Sequence, residues 1–333
     1  MNDVGRYQTS NGRCLYTFQV EAYPTLVANI TLIDDGDRLI LVDCGSGLEK
    51  SNREFLAGFA ALRERFGVSF TPADIDLILI THGHIDHFGG LPFVRRRTQA
   101  PVGAHILDRR VLSHYEERVI VTTRRMEAFL QQAGVAAKHR QQLLQVYLFA
   151  KDVYRSTPVQ FLLEEGKSVA GIDVYHVPGH CPGQVCLQID DVMLTADHVL
   201  AFTTPHQAPE SITLNTGLGH YLASLDKIAR LGGVRLALGG HEEPMEDLPG
   251  RISAIKQLHQ ERLEKLLEIC AEPRSIVGAS RALFGEVSSY HVLLALEETG
   301  AHVEYLYQRG ELVVTNLEEI RQQPVPVLRY RRI

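Results

Sequence analysis

Three imidazoles and one carboxylate fall within a short stretch of chain, as His82, His84, Asp86 and His87 in Thr81-His82-Gly83-His84-Ile85-Asp86-His87. Near neutral pH imidazole is the commonest protein metal ligand and general base. The glycines Gly83, Gly89 and Gly90 let the backbone turn tightly around these side chains. A single loop histidine is usually a solvated side chain. Three of them with an aspartate, at a strand end where alternate residues converge, read instead as ligands to a common ion. His180 in Pro178-Gly179-His180-Cys181-Pro182-Gly183, Asp197 in Thr195-Ala196-Asp197-His198 and His241 in Gly239-Gly240-His241-Glu242-Glu243-Pro244 each close another apolar run beside small residues. Five histidines and two aspartates suffice for two divalent ions of four or five ligands each, with positions left for water. A centre left open in this way is a reaction centre. Two such ions lower the pKa of a shared water from about 15.7 toward about 7, which supplies a hydroxide nucleophile without any nucleophilic side chain.

The elements that must position these residues are legible from periodicity. Val27–Ile33 and Arg38–Val42, separated by Asp34-Asp35-Gly36-Asp37, predict a strand hairpin. Residues 50–66 predict an amphipathic helix, and Ile75–Ile80 a buried strand leading into the histidine cluster. Strand, helix, strand is an α/β signature. Strand character returns at 168–177, 185–189 and 192–194. Between them, residues 108–165 read as a helical insertion whose Val119, Ile120, Met126, Phe129, Leu130, Tyr147 and Phe149 exceed what a free surface helix needs. The expected domains are 1–249 and a helical module over 250–333. In the second, an amphipathic helix from 251 precedes helices near 275–284 and 288–299 and a hairpin of Val303–Tyr307 with Glu311–Thr315. That order predicts a winged helix.

The motifs THGHIDH, PGHCPG, TADH and GGHEEP resemble the successive metal motifs of the metallo-β-lactamase-fold hydrolases, and Leu41-Val42-Asp43-Cys44-Gly45 resembles their early Asp-containing strand end. The resemblance covers about residues 15–248 and lies nearest the glyoxalase-II-like and lactamase-like hydrolases that carry a C-terminal winged helix. It implies an αββα sandwich with metals at one sheet edge. By the same resemblance His82, His84 and His180 hold the first metal and Asp86, His87 and His241 the second, with Asp197 bridging. Asp86 is then also the candidate catalytic residue that orients the hydroxide. The implied cofactors are two divalent ions, Zn2+ first, with Fe or Mn as alternatives. Departures from the family pattern fall at Cys181, Gln184 and Glu242, remove no ligand and are read as bearing on substrate. His198 reads as polar lining ahead of a residue supporting the ligands, and Tyr221 as a core tyrosine ahead of an oxyanion donor.

Composition bounds the function. The chain has 333 residues, 15 His and a net charge of −6 from 34 Lys+Arg against 40 Asp+Glu, which gives no general attraction for nucleic acid or anionic membrane. Residues 250–333 balance eleven Lys/Arg with eleven Glu, whereas a DNA-reading module is basic. The module is therefore expected to line a cleft or form a homodimer. Five scattered cysteines argue against a disulfide framework. No basic-then-apolar leader and no membrane-length apolar run are read, and a cytoplasmic location is expected. The expected activity is hydrolysis of a thioester or ester, or of a lactone, on a small-molecule acyl substrate. A nucleic-acid-processing phosphodiesterase and a mononuclear iron persulfide dioxygenase remain the alternatives.

Overall fold

The computed structural model describes residues 4–149 and 154–333, the side chain of Phe149 excepted. The chain divides into two compact units. The first comprises Met1–Tyr115, Arg155–Pro205 and Ser224–Ile252, and the second Glu116–Tyr154, His206–Ala223 and Ser253–Ile333.

Two sheets build the first unit. Strands β1 (Val4–Gln8), β2 (Cys14–Tyr23), β3 (Leu26–Asp34), β4 (Leu39–Val42), β5 (Ile75–Leu79), β6 (Val102–Ala104) and β7 (Phe161–Leu162) form one sheet in that order. It is antiparallel up to β4 and parallel beyond. The other sheet runs in the order β12 (Leu236–Gly239), β11 (Val192–Ala196), β10 (Val185–Ile189), β9 (Ile172–His176), β8 (Ser168–Val169). Leu15, Ile33, Ile40, Val42 and Leu79 of the first sheet pack with Val174, Val185, Leu187, Ile189, Leu194 and Leu238 of the second in one apolar core. Alternation in β2 then turns Phe18 to the other face. There its ring meets Phe55 and Phe59 of α1 (Glu49–Phe66), each at 5.7 Å between centroids.

The predicted hairpin is β3–β4, paired from Thr31↔Val42 to Asp34↔Leu39, and its turn is held by Asp35, whose carboxylate accepts from the N–H groups of Asp37 and Arg38. The expected strand 168–177 is instead two strands, because Ala170 (φ 51°) and Gly171 (φ 70°) turn the chain back on itself. After β5 come the short helices α2 (Ile85–Phe88) and α3 (Leu91–Val94). The expected insertion opens with α4 (Ile106–Ser113), followed by α5 (Tyr115–Gln132) and α6 (Ala137–Phe149). Of its apolar residues Met126, Phe129 and Leu130 are buried, while Ile120 is 66% exposed. The helix α7 (Leu218–Ala229) precedes β12.

The helix α8 (Leu248–Ile269) belongs to the second unit from Ser253 on and is followed there by α9 (Ile276–Phe284) and α10 (Tyr290–Gln308). The last of these corrects the expected hairpin, since 303–307 is helical. The aromatic and β-branched residues Val303, Tyr305 and Tyr307 imitate a strand, but Leu296, Val303 and Leu306 are buried at helical spacing and the packed face prevails. β13 (Leu312–Val314) pairs antiparallel with β14 (Tyr330–Arg332), across α11 (Leu317–Gln322). Residues 116–133 are tied to this module by Val277 N–H to Ala133 O, 2.9 Å, and Leu328 N–H to Gln132 O, 2.9 Å.

A polar network lies inside the second unit. His302 Nδ1 donates to the Glu298 carbonyl one turn back, at 2.7 Å, so its Nε2 is an acceptor and takes the proton of His259 Nδ1 at 3.0 Å. The Glu298 carboxylate accepts from Arg262 at 2.8 Å and from the Gln207 N–H at 2.8 Å, and His206 Nε2 meets Glu297 at 2.8 Å. Burial pushes the His259 pKa down to about 3, so that imidazole is neutral. Burial also lowers His206, but hydrogen bonds to Glu297 and Glu298 outweigh it and raise the pKa to about 9. Tyr221 is fully buried with its ring edge-on to His259, as a core tyrosine.

Candidate metal centre

Every candidate ligand follows a strand end or sits in the loop between two strands. His82 and His84 leave β5, Asp86 and His87 ride on α2, His180 lies between β9 and β10, Asp197 follows β11, and His241 follows β12. The structure brings all seven predicted residues together. His82, His84, His180 and Asp197 form one group and Asp86, His87, Asp197 and His241 a second, the ligand atoms of each lying within 4.8 Å of one another.

Within the groups the separations suit a small cation. His180 Nε2 and His82 Nε2 lie 3.6 and 3.9 Å from Asp197 Oδ2. His241 Nε2 lies 3.3 Å from Asp197 Oδ2 and 3.4 Å from Asp86 Oδ2, and His87 Nε2 lies 3.4 Å from Asp197 Oδ1. Ligand atoms about 2.0–2.1 Å from a tetrahedral Zn2+ are about 3.3 Å apart. His82 Nε2 and His87 Nε2 are buried without a hydrogen-bond partner among the described residues, as lone pairs aimed at a cation would be.

Charge tells the same story. Burial disfavours the Asp86 and Asp197 carboxylates, yet His87 and His241 hold both ionised, with Asp86 lowered to about 2. Burial likewise disfavours protonated His241, and Asp197 and Asp86 nevertheless raise its pKa to about 10. His84, with burial and His180 both opposing its charge, is lowered to about 3. This is a donor set that draws in positive charge: His82 and His84 of the first group stay neutral, whereas His87 and His241 of the second are held protonated by the carboxylates around them.

A second layer of contacts aims the ligands. Asp43, in the left-handed region at φ 59°, accepts from His87 Nδ1 at 2.8 Å and from the Thr81 N–H and hydroxyl at 2.9 and 2.7 Å. The Thr81 oxygen in turn lies 3.1 Å from His82 Nδ1. His241 Nδ1 donates to the Val27 carbonyl at 2.5 Å. With each Nδ1 so engaged, each Nε2 faces the centre as a base. The sequence marks Asp43 only as a strand end. Asn29 carries no sequence signal at all, yet from β3 its amide donates to the carbonyls of Gly239 and Glu242 at 3.1 and 2.9 Å and pins the His241 loop. At Gly240 a Cβ would stand 2.4 Å from Asp197 Oδ1 and 2.7 Å from His87 Cε1, so no side chain fits.

The departures at Gln184 and Glu242 are structural. Oriented by its hydrogen bonds, the fully buried Gln184 amide oxygen accepts from the N–H groups of Asp197 and His198 at 3.0 and 2.5 Å. Glu242 accepts from the N–H groups of Phe202 and Thr203 at 2.6 and 3.0 Å. His198 belongs to neither ligand group, and burial lowers its pKa to about 3 and keeps it neutral.

Residues 23–268 match the family model described as the metallo-beta-lactamase superfamily. The chain is 23% identical over 292 residues to the Bacillus subtilis (strain 168) protein named "Probable metallo-hydrolase YqjP", covering 83% of this chain and 87% of that one. It is 25% identical over 264 residues to the atrochrysone carboxyl ACP thioesterase of Aspergillus fumigatus, covering 76% of this chain and 64% of that one, so it spans about two thirds of that relative's length. The crystal structure of a metallo-beta-lactamase family protein from Thermus thermophilus, TTHA1429, superposes with a TM-score of 0.75 at 26% identity, over 96% of this chain and 98% of the other.

Proposed function

Because the chain belongs to the metallo-beta-lactamase superfamily, we propose that it is a dinuclear metal-dependent hydrolase that cleaves a thioester or ester, with a lactone as a variant. The observation that carries this reading is the pair of ligand groups meeting at one carboxylate, Asp197. His82, His84 and His180 would hold one divalent ion and Asp86, His87 and His241 the other. When bound, such ions supply Lewis acidity toward a carbonyl oxygen and bring the pKa of water from about 15.7 toward about 7.

The chain's own groups do the rest. Asp86, 3.4 Å from His241 Nε2 in the second group, would orient the attacking water. Asp43, through His87, and the Val27 carbonyl, through His241, keep those imidazoles in the tautomer that presents Nε2. No serine or cysteine nucleophile is needed, and Cys181, the nearest cysteine in sequence to a ligand, is buried. An acyl thioester as substrate is supported by the ACP thioesterase named among the relatives. Zn2+ is the first expectation for the ions.

The test is metal analysis of the purified protein coupled to a panel of thioesters, lactones and phosphodiesters. Two ions per chain with fastest turnover of thioesters or esters is the expected result. Preference for phosphodiesters would replace this reading with the nucleic-acid-processing one. One iron per chain with dioxygen consumed on a persulfide would replace it with the dioxygenase.

A further inference from the structure

The first ion group is assembled from loops of both sheets, one leaving β5 with His82 and His84, the other joining β9 to β10 with His180. One backbone bond links them directly, Val185 N–H to Thr81 O at 2.9 Å. The other link is a side chain that the sequence marks only as the first residue of the helical insertion. Asp108, in the first turn of α4, is fully buried. Its Oδ2 accepts from the N–H of Gly83, the residue between His82 and His84, at 2.8 Å. Its Oδ1 accepts from the N–H of Gly183 at 3.0 Å, and its Oδ2 receives the thiol of Cys181, next to His180, at 3.3 Å. A carboxylate out of water persists where several donors satisfy it, and three of those donors come from the two ligand loops.

We propose that Asp108 is a positioning residue that sets the spacing between the His82/His84 loop and the His180 loop, and so governs the affinity of the first ion site alone. The inference rests on the two-ion reading above. The second group is aimed by other contacts: His87 by Asp43, His241 by the Val27 carbonyl, and the His241 loop by Asn29. Groups that orient ligands typically change metal affinity by about 10–100-fold when removed.

Two silenced backgrounds separate the sites. Asp86→Ala with His241→Ala leaves the first site, and His84→Ala with His180→Ala leaves the second. Zn2+ is titrated into each by competition with a chromophoric chelator. Adding Asp108→Ala should raise the Zn2+ Kd of the first-site background by about 10–100-fold and leave the second-site background unchanged. Asp108→Asn retains one acceptor oxygen and should fall between, and it serves if the alanine variant does not fold. Equal weakening in both backgrounds would mark Asp108 as a general structural residue and overturn the proposal, as would no weakening in either. If the wild-type chain does not bind two ions, the two-ion reading fails and takes the proposal with it. If the wild-type chain binds two ions but neither background binds Zn2+, the two-ion reading stands and the proposal of a first site with an affinity of its own is overturned.

Discussion

Asp197 is the one residue in both ligand groups, with His241 at 3.3 Å and His180 at 3.6 Å from the same oxygen. Asp197→Ala should therefore strip metal from both groups and leave the purified protein well below one ion per chain by elemental analysis. His198→Gln, at a residue in neither group, should keep the wild-type content; equal losses would count against the ligand assignment. Asn29→Ala removes three hydrogen bonds, one accepted from Gln19 Nε2 and two donated to the Gly239 and Glu242 carbonyls, and leaves those carbonyls short of a donor, so urea unfolding should show a loss of about 1–3 kcal/mol. The seven candidate ligands were legible because each stands in a short local motif at or just beyond a strand end. The roles of Asn29 and Asp108 were not, since their partners lie far off in sequence and a lone polar residue in an apolar strand or helix looks the same whether or not it holds a loop.

At the scale of elements, α1 carries a glycine where helix propensity alone favours alanine by up to about 1 kcal/mol. A Cβ on Gly58 would lie 2.3 Å from the Phe18 ring. Gly58→Ala should thus lower the unfolding free energy despite the propensity gain, by an amount typical of overpacking, about 1–3 kcal/mol, and with it the thermal midpoint. The network of the second unit gives a pH dependence with two limbs. His206, raised to about 9, contributes stability that is complete below its ordinary pKa near 6.5 and lost as pH rises through 9. His259, lowered to about 3, works the other way: stability is lost as pH falls from 6.5 toward 3, because the unfolded chain takes the proton first. Denaturation midpoints of the metal-free protein should peak near neutral pH, and His206→Gln should flatten the alkaline limb. Long regular elements such as α1 and the β3–β4 hairpin were legible from period alone. The end of α10 was not, because Val303, Tyr305 and Tyr307 favour a strand until the packing of Val303 and Leu306 decides otherwise.

At the scale of the molecule, the chain passes between its two units five times, and residues 253–333 share theirs with 116–154 and 206–223. Truncation after Pro249 would leave α5 without α9 and α10, and so without Gly300, which packs so closely on the Phe129 ring that a Cβ there would stand 2.8 Å from it. The shortened protein should bind a hydrophobic dye and aggregate, as light scattering would show; a soluble, fully active fragment would contradict this. With eleven Lys/Arg balanced by eleven Glu over 250–333, affinity for DNA should be weak and vanish by physiological salt in a filter-binding titration. Interleaving of this kind has no local signature and could not be read from periodicity. It also sets a timetable during synthesis. Ribosomes add about 5–20 residues per second, so the strip of Met126, Phe129 and Leu130 emerges roughly 10–30 s before the helices that cover it are complete. For that interval the nascent chain carries an open apolar seam, and the cell must shield it.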